Sequence, residues 1–171
     1  MVKPYGFDYN TETAEDNHFQ TGGTALSSSE ITRQALLEFQ GFVSQLKAHG
    51  IEVIVFDNLI TKETPDAVFP NNWFSTHMDG TVYLYPMFAN NRRKERRQEV
   101  LDLLTQEYSF SIDRIMDWSK YEDIGLFLEG TGSMILDRPN KIIYAALSER
   151  TSEELLKQYA QEIDYALVTF K

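Results

Sequence analysis

The 171-residue sequence contains no cysteine. Disulfide bonds, thiolate metal ligands and a cysteine nucleophile are therefore excluded within this chain. Histidine is also scarce, with three residues, and no two of them have the i, i+4 spacing by which a helix holds zinc. We expect neither a metal site nor a cofactor.

The chain has fewer positive than negative residues: 16 lysines and arginines against 26 aspartates and glutamates, which gives a formal net charge of -10. Such a protein repels polyanions, so nucleic acid and anionic lipid are unsuitable partners. The chain has no apolar run near the ~20 residues of a membrane span, and its N-terminus lacks the apolar core of a signal peptide. We expect a cytoplasmic protein that binds small molecules or other proteins, and no membrane.

The composition is 42% hydrophobic and 13% aromatic, which predicts a single globular domain over residues 1–171. Near its start, Val2–Phe7 has an extended pattern. Ser27 and Glu30 have the spacing of a helical capping box, and apolar residues recur at helical intervals until Gly50. The apolar run Ile51–Phe56 then predicts a buried strand.

Two later stretches share the order strand, strand, helix, strand. In residues 73–118, an Asp-Gly pair indicates a hairpin turn, and Asn90 or Asn91 is expected to cap a charged helix. Residues 133–170 show the same order around a second hairpin. The sequence therefore predicts an internal structural repeat of ββαβ units.

The stretch TPDAVFPNNWFSTH (64–77) breaks the rules for an ordinary strand. Asn71 and Asn72 have low strand propensity, and Pro70 cannot donate to a ladder. Residues that disfavour folding are often kept for function. A tight Pro-Asn turn that merely leads into a strand explains the pattern equally well.

Five stretches cover nearly the whole chain and carry a more specific signal: ETAEDNHFQ (12–20), PDAVFPNNWFSTH (65–77), LYPMFANNRRKERR (84–97), GLFLEGTGSMILDR (125–138) and AALSERT (145–151). They resemble the arginine deiminase-related, citrulline-utilisation hydrolase branch of the amidinotransferase, or pentein, family. The resemblance implies an α/β fold, the pentein-type α/β propeller, in which a ring of ββαβ units surrounds a central channel. About three of the ring's five units fit this chain, roughly 1–60, 61–120 and 121–171, and their open sheet edges suggest homo-oligomers.

The resemblance also implies roles for single residues. Asp66 and Asn72 match the residues that hold the terminal NH groups of the substrate, and Phe69 matches an aromatic that packs on its stem. Glu129, in EGTG, matches the acidic residue that precedes a small-residue turn and is expected in the catalytic site. It could also be a solvated turn residue, but the apolar residues on both sides favour a carboxylate that faces the channel. Arg92 or Arg93 matches an arginine that binds the carboxylate of the amino acid.

Many arginine-processing relatives carry a carboxylate where this sequence has Asn72, next to a second amide, Asn71. An amide donates and accepts hydrogen bonds, which suits a ureido group better than a guanidinium that only donates. We therefore favour citrulline over arginine as the substrate.

Members of this family attack the guanidino or ureido carbon with a cysteine, assisted by a histidine. Neither residue stands in a matching motif here, so we expect this chain to be the N-terminal, substrate-binding part of an amidinohydrolase or deiminase, and inactive alone. Two alternatives stay open. One is a non-catalytic ligand-binding or regulatory module, and the other is an interaction protein of the same propeller shape.

Overall fold

The computed structural model describes residues 1–14, 17, 20, 26–57 and 63–171, so that much of ETAEDNHFQ lies outside the described residues. Two compact units divide the chain, Met1–Pro70 and Asn71–Lys171. None of the helices in the described ranges has the length and apolar content of a membrane span. The helices and strands are α1 (Ser28–Ala48), β1 (Phe74–Thr76), β2 (Thr81–Leu84), α2 (Asn90–Arg93), α3 (Gln98–Gln106), β3 (Arg114–Asp117), α4 (Gly130–Ser133), β4 (Met134–Asp137), β5 (Ile142–Ala146), α5 (Glu153–Glu162) and β6 (Ala166–Phe170), with 3-10 turns at Pro70–Asn72 and Ser119–Ile124.

In the first unit, helix α1 begins and ends where the sequence predicts. The backbone N–H of Glu30 donates to the Ser27 hydroxyl at 3.4 Å, and the Ser27 N–H donates to the Glu30 carboxylate at 2.8 Å. This reciprocal pair is the predicted capping box. Gly50 follows the helix with a φ of 76°, a conformation that favours glycine.

The strand predicted over Ile51–Phe56 is wrong. This segment makes only an isolated parallel bridge, between Val2 and Phe56. The Phe56 N–H donates to the Met1 carbonyl at 2.8 Å, and the Lys3 N–H donates to the Phe56 carbonyl at 3.0 Å. Because this pairing is parallel, the N-terminal residues meet only the end of the segment, and the described residues place no strand beside 51–53. Without a longer ladder the segment stays irregular, and Ile51 is 51% exposed rather than buried.

The second unit contains the predicted repeat. Strands β1, β2 and β3 form one three-stranded sheet in that order, and β4, β5 and β6 form another. In each sheet the first pair of strands is antiparallel and the second is parallel. Each helical connection crosses from the middle strand to the third, so both repeats are ββαβ units.

Helix α5 joins the two repeats through one apolar core. Leu155, Leu156 and Tyr159 of α5 are fully buried, together with Tyr83 and Tyr85 of the first repeat. The hydroxyl groups of Tyr85 and Tyr159 lie 2.9 Å apart inside this core. Buried hydroxyl groups are costly unless they are hydrogen-bonded, so this contact favours one alignment of the two repeats.

The helix predicted after Asn90 differs from the prediction in two respects. Its N-cap is Ala89, which offers no side-chain hydrogen bond, and neither Asn90 nor Asn91 caps it. The chain also breaks into α2 and α3, because Arg97 has extended backbone angles, with φ -122° and ψ 120°. Between the two helices, Arg96 pairs with the nearly buried Glu122, with Nη1 2.6 Å from Oε1.

We expect Tyr159→Phe to lower the free energy of unfolding by about 1–3 kcal/mol, because it removes the hydroxyl paired with buried Tyr85. Urea unfolding of the protein measures the change. Tyr108→Phe is the matched control, since Tyr108 is 37% exposed and its loss should lie within about 0.5 kcal/mol. Equal effects of the two variants would contradict this role for the buried hydroxyl pair.

His77 should make stability depend on pH. Burial lowers the pKa of His77 below its ordinary 6.5, with help from the positive charge of Arg138 and weak opposition from Asp79. The unfolded chain therefore binds this proton more readily than the native state, so the stabilisation is complete above pH 6.5 and is lost as pH falls through the folded-state pKa. The free energy of unfolding in urea should therefore decrease as the pH is lowered below 6.5. His77→Gln should remove this pH dependence, whereas His49→Gln, at an exposed position, should leave it in place.

Candidate functional site

The sheet registers of the second unit bring four chain segments to one edge. Phe74 at the start of β1 pairs with Leu84 at the end of β2, and Met134 at the start of β4 pairs with Ala145 near the end of β5. The segments that enter β1 and β4 therefore lie beside those that leave β2 and β5. They carry the polar cluster, which consists of Asn72, Arg92, Glu95, Glu129 and Arg150.

Glu129 lies at the centre of the polar cluster and is fully buried. Its Oε2 accepts from Nε and Nη2 of Arg150, at 2.9 and 2.5 Å. Its Oε1 accepts from the backbone N–H of Phe88 at 3.1 Å, and Nη1 of Arg92 lies 3.8 Å from Oε2. The burial of this carboxylate is thus compensated by charge and by hydrogen bonds from both repeats.

Arg92 is almost fully buried and is held by a second carboxylate. Its Nε and Nη2 donate to the two oxygens of Glu95, each at 3.0 Å. The side chains of Arg92 and Glu95 are 3% and 1% exposed. Two arginines and two glutamates therefore leave the polar cluster without net charge.

The amide of Asn72 points its oxygen at both guanidinium groups. In this orientation the oxygen accepts from Nη1 of Arg92 at 2.7 Å and from Nη2 of Arg150 at 3.3 Å. The reverse orientation would set the amide NH2 against two groups that only donate, so the hydrogen-bond network selects the first. The amide nitrogen then faces the side chain of Asn71, which also contacts the hydroxyl of Thr131.

The two glycines of EGTG permit this close packing. A Cβ on Gly130 would collide with the backbone carbonyl oxygen of Asn71. One on Gly132 would come within 2.7 Å of both Nη2 of Arg150 and the side-chain amide of Asn72. Larger residues would separate the groups that make the polar cluster.

Arg93 lies outside the polar cluster. Its Nε and Nη2 donate to the backbone carbonyls of Met87 and Phe88, at 2.9 and 3.2 Å. Its guanidinium also lies over the ring of Phe127, 5.7 Å from the centroid. Of the two predicted arginines, the structure therefore brings Arg92 to Asn72 and Glu129, while Arg93 holds its own loop.

Asp66 and Phe69 belong to the first unit. Asp66 is buried, and its Oδ2 accepts from Nδ2 of Asn10 at 2.6 Å and from the hydroxyl of Thr13 at 3.3 Å. Nε2 of Gln20 donates to the same Thr13 hydroxyl at 2.8 Å. Phe69, by contrast, is 47% exposed. Within the first unit, Asp66 is therefore a fixed hydrogen-bond acceptor, and the exposed Phe69 follows it closely in the sequence.

Sequence reasoning missed three residues of these networks. Arg150 stands in AALSERT, one of the stretches that carry the family resemblance, but it had no role in the prediction. Glu95 follows Arg92 by three residues, a spacing that favours ion pairs on helices. No sequence signal pointed to Asn10, because its contact with Asp66 spans 56 residues of chain.

The family model described as N,N dimethylarginine dimethylhydrolase, eukaryotic, matches residues 3–171. No curated protein sequence matches the chain significantly. Among solved structures, the substrate-bound N-terminal domain of ArgZ, an arginine dihydrolase from the ornithine-ammonia cycle in Cyanobacteria, is 18% identical, with a TM-score of 0.65 over 99% of this chain and 55% of that one. DDAH from Pseudomonas aeruginosa, complexed with citrulline, is 15% identical, with a TM-score of 0.58 over 82% and 51%. These structures share the fold, and the chain spans about half of their length.

We expect Gly132→Ala to disrupt the polar cluster, because the added methyl group meets Arg150 and Asn72. The loss of stability should be about 1–3 kcal/mol, as for other overpacked sites. Gly41→Ala is the matched control, since a Cβ at Gly41 in α1 meets nothing within 4 Å, and it should stabilise the helix by up to about 1 kcal/mol. Thermal unfolding of both variants is the measurement, and a neutral Gly132→Ala would contradict the packing described.

Proposed function

The chain belongs to the amidinotransferase, or pentein, family that includes the N,N-dimethylarginine dimethylhydrolases, and from this premise we propose that it is the substrate-binding part of a hydrolase. The bond that the enzyme cleaves is the guanidino or ureido C–N bond of an arginine-like amino acid, with citrulline favoured over arginine. The observation that supports this choice is the environment of Asn72, whose amide oxygen is occupied by Arg92 and Arg150.

With its oxygen occupied, Asn72 has only amide N–H groups to offer a ligand. A ureido group presents a carbonyl oxygen that accepts from such a donor. A guanidinium group carries donors alone, so it would meet the amide donor to donor. Hydrogen-bond complementarity therefore favours the ureido head.

Charge favours the same choice. Asn72 lies within 2.7 and 3.3 Å of two guanidinium groups. A third guanidinium would add an uncompensated positive charge to a cluster without net charge, whereas a neutral ureido group leaves the balance unchanged. A carboxylate at position 72 would change this balance, because it would offer acceptors and a negative charge to a cationic head.

The other predicted residues take supporting roles in this proposal. Asp66, held by Asn10, supplies a fixed acceptor for substrate nitrogen atoms, and Phe69 offers an exposed aromatic surface to the aliphatic stem. The substrate's carboxylate requires an accessible guanidinium. Arg93 and Arg150, with side chains 29% and 17% exposed, suit it better than Arg92.

The chemical step in this proposal is attack by a cysteine thiolate on the ureido or guanidino carbon, which forms a C–S bond as the C–N bond breaks. A histidine protonates the departing nitrogen and then activates the water that hydrolyses the C–S bond. The sequence has no cysteine, so we assign both groups to polypeptide outside these 171 residues. Glu129 is engaged by Arg150 and by the N–H of Phe88, and we therefore infer that it orients Arg150 and Asn72 rather than transferring a proton.

A non-catalytic ligand-binding module is the second candidate, and the absence of cysteine is the observation in its favour. Incubation of the full-length gene product with L-citrulline and with L-arginine separates the two. Release of ammonia with enzyme present supports the hydrolase. Saturable binding of either amino acid without any product supports the module instead.

Calorimetric titration tests the preference for citrulline. We expect the full-length gene product to bind L-citrulline more tightly than L-arginine, and Asn72→Asp to shift the ratio of affinities towards arginine by at least about tenfold, as a charge introduced at a buried site does. Asn140→Asp makes the same chemical change at an exposed hairpin position and should leave the ratio unchanged. Tighter binding of arginine to the unmodified protein would refute the assignment.

A further inference from the structure

A pocket opens on the second unit between the end of β3 and the C-terminal half of α5. Its volume is about 380 Å³, which lies within the roughly 300–1,000 Å³ of small-molecule sites. The described residues that line it include none of the polar cluster. They are Met116, Trp118, Tyr121, Gln158, Gln161 and Glu162.

Two aromatic rings form adjacent walls of this pocket. Trp118 follows β3, and Tyr121 lies in the 3-10 turn Ser119–Ile124. Their ring centroids are 5.6 Å apart and their planes are inclined at 63°. The Tyr121 hydroxyl donates to Oε1 of Gln158 on α5 at 3.0 Å, which fixes this ring against the helix. Because the faces of aromatic rings are electron-rich, the two walls offer a preformed surface to a positively charged ligand.

Glu162 adds a negative charge to the same pocket. Among the lining residues that the structure describes, it alone is charged at neutral pH. Its field reaches the aromatic residues behind the pocket, since burial, and after it the charge of Glu162, raise the pKa of Tyr83 to about 12. The ring of Tyr83 packs edge-on against Trp118, with centroids 6.1 Å apart. A carboxylate beside two aromatic rings suits an organic cation.

A cation of the chain itself already lies on one of these rings. Nζ of Lys120 is 5.6 Å from the centroid of the Tyr121 ring, within the ~6 Å over which a ring attracts an ammonium group. Lys120 is exposed and is not among the described residues that line the pocket. The ring of Tyr121 is therefore accessible to cations, and the charge of Lys120 opposes a second cation nearby.

We propose that this pocket binds a small alkylammonium cation that is free in solution. The ammonium group lies against the rings of Trp118 and Tyr121, its charge is offset by Glu162, and the amide of Gln161 offers a hydrogen bond to a polar substituent. The proposal goes beyond the proposed function, because no step of the hydrolysis uses these residues, and it holds or fails whatever the substrate is.

An NMR titration of the full-length gene product with choline tests the ligand class. Choline should shift the indole N–H resonance of Trp118 saturably and leave that of Trp73, which is 2% exposed, in place. The control ligand is the neutral isostere of choline, in which a tert-butyl group replaces the trimethylammonium group. It should bind at least about twofold more weakly, the lower limit for the loss of a cation–π contact. Equal affinities, or the absence of a saturable shift at Trp118, would overturn the proposal.

Three variants test the charges in the same titration. Glu162→Gln should raise the Kd of choline about two- to fivefold, as the loss of an exposed ion pair does. Glu154→Gln removes the same charge from an exposed position of α5 outside the described lining and should leave the Kd unchanged. Lys120→Gln should lower the Kd, because it removes the opposing charge. Equal effects of the two glutamate variants would reveal only a general attraction of cations to an acidic protein and would overturn the proposal.

A flotation assay with phosphatidylcholine vesicles distinguishes a free ligand from a lipid head group that carries the same trimethylammonium group. The full-length gene product should stay behind when the vesicles float. Its flotation with the vesicles, if abolished by Glu162→Gln, would assign the pocket to a membrane surface and overturn the proposal of a free ligand.

Discussion

The buried ion pair between Glu129 and Arg150 is the interaction on which the candidate site depends. Glu129 is fully enclosed, and a carboxylate in that position is tolerated only with charge and hydrogen bonds around it. Arg150 supplies both, and its remaining Nη2 contact orients the amide of Asn72. Arg92, in the first repeat, donates to the same amide oxygen as Arg150, in the second. The orientation of the neutral Asn72 side chain therefore depends on two arginines, each of which is paired with a glutamate.

This arrangement follows from the repeat. In each ββαβ unit the first two strands are antiparallel, so the segment before the first strand and the segment after the second lie at the same sheet edge. The first repeat contributes Asn72 and Arg92 from these two segments, and the second contributes Glu129 and Arg150. The hydroxyl contact between Tyr85 and Tyr159 holds the two sheets in the alignment that brings the four residues together.

Local sequence patterns were sufficient to predict the parts of the fold that depend on residues close together in the chain. The capping box of α1 and the hairpin turns are encoded within a few residues, and the order of the ββαβ units follows from them. The segment Ile51–Phe56 failed as a strand because a strand depends on a partner, and its pairing with the N-terminal residues is limited to one isolated bridge at Phe56. The contact between Arg150 and Glu129 could not be predicted from the sequence either, because it depends on how two loops meet after folding.

Electrostatics links the polar cluster to the proposed preference for citrulline. Because Glu95 and Glu129 already offset Arg92 and Arg150, a carboxylate in place of Asn72 would give the polar cluster one negative charge that could offset a cationic ligand. With an amide in the same place, the charges of Arg92 and Arg150 are balanced by Glu95 and Glu129, and no charge is left to offset a cationic head. In the proposed function, the presence of Asn72 in place of a carboxylate is therefore what makes a neutral ligand head more compatible with the site than a cationic one.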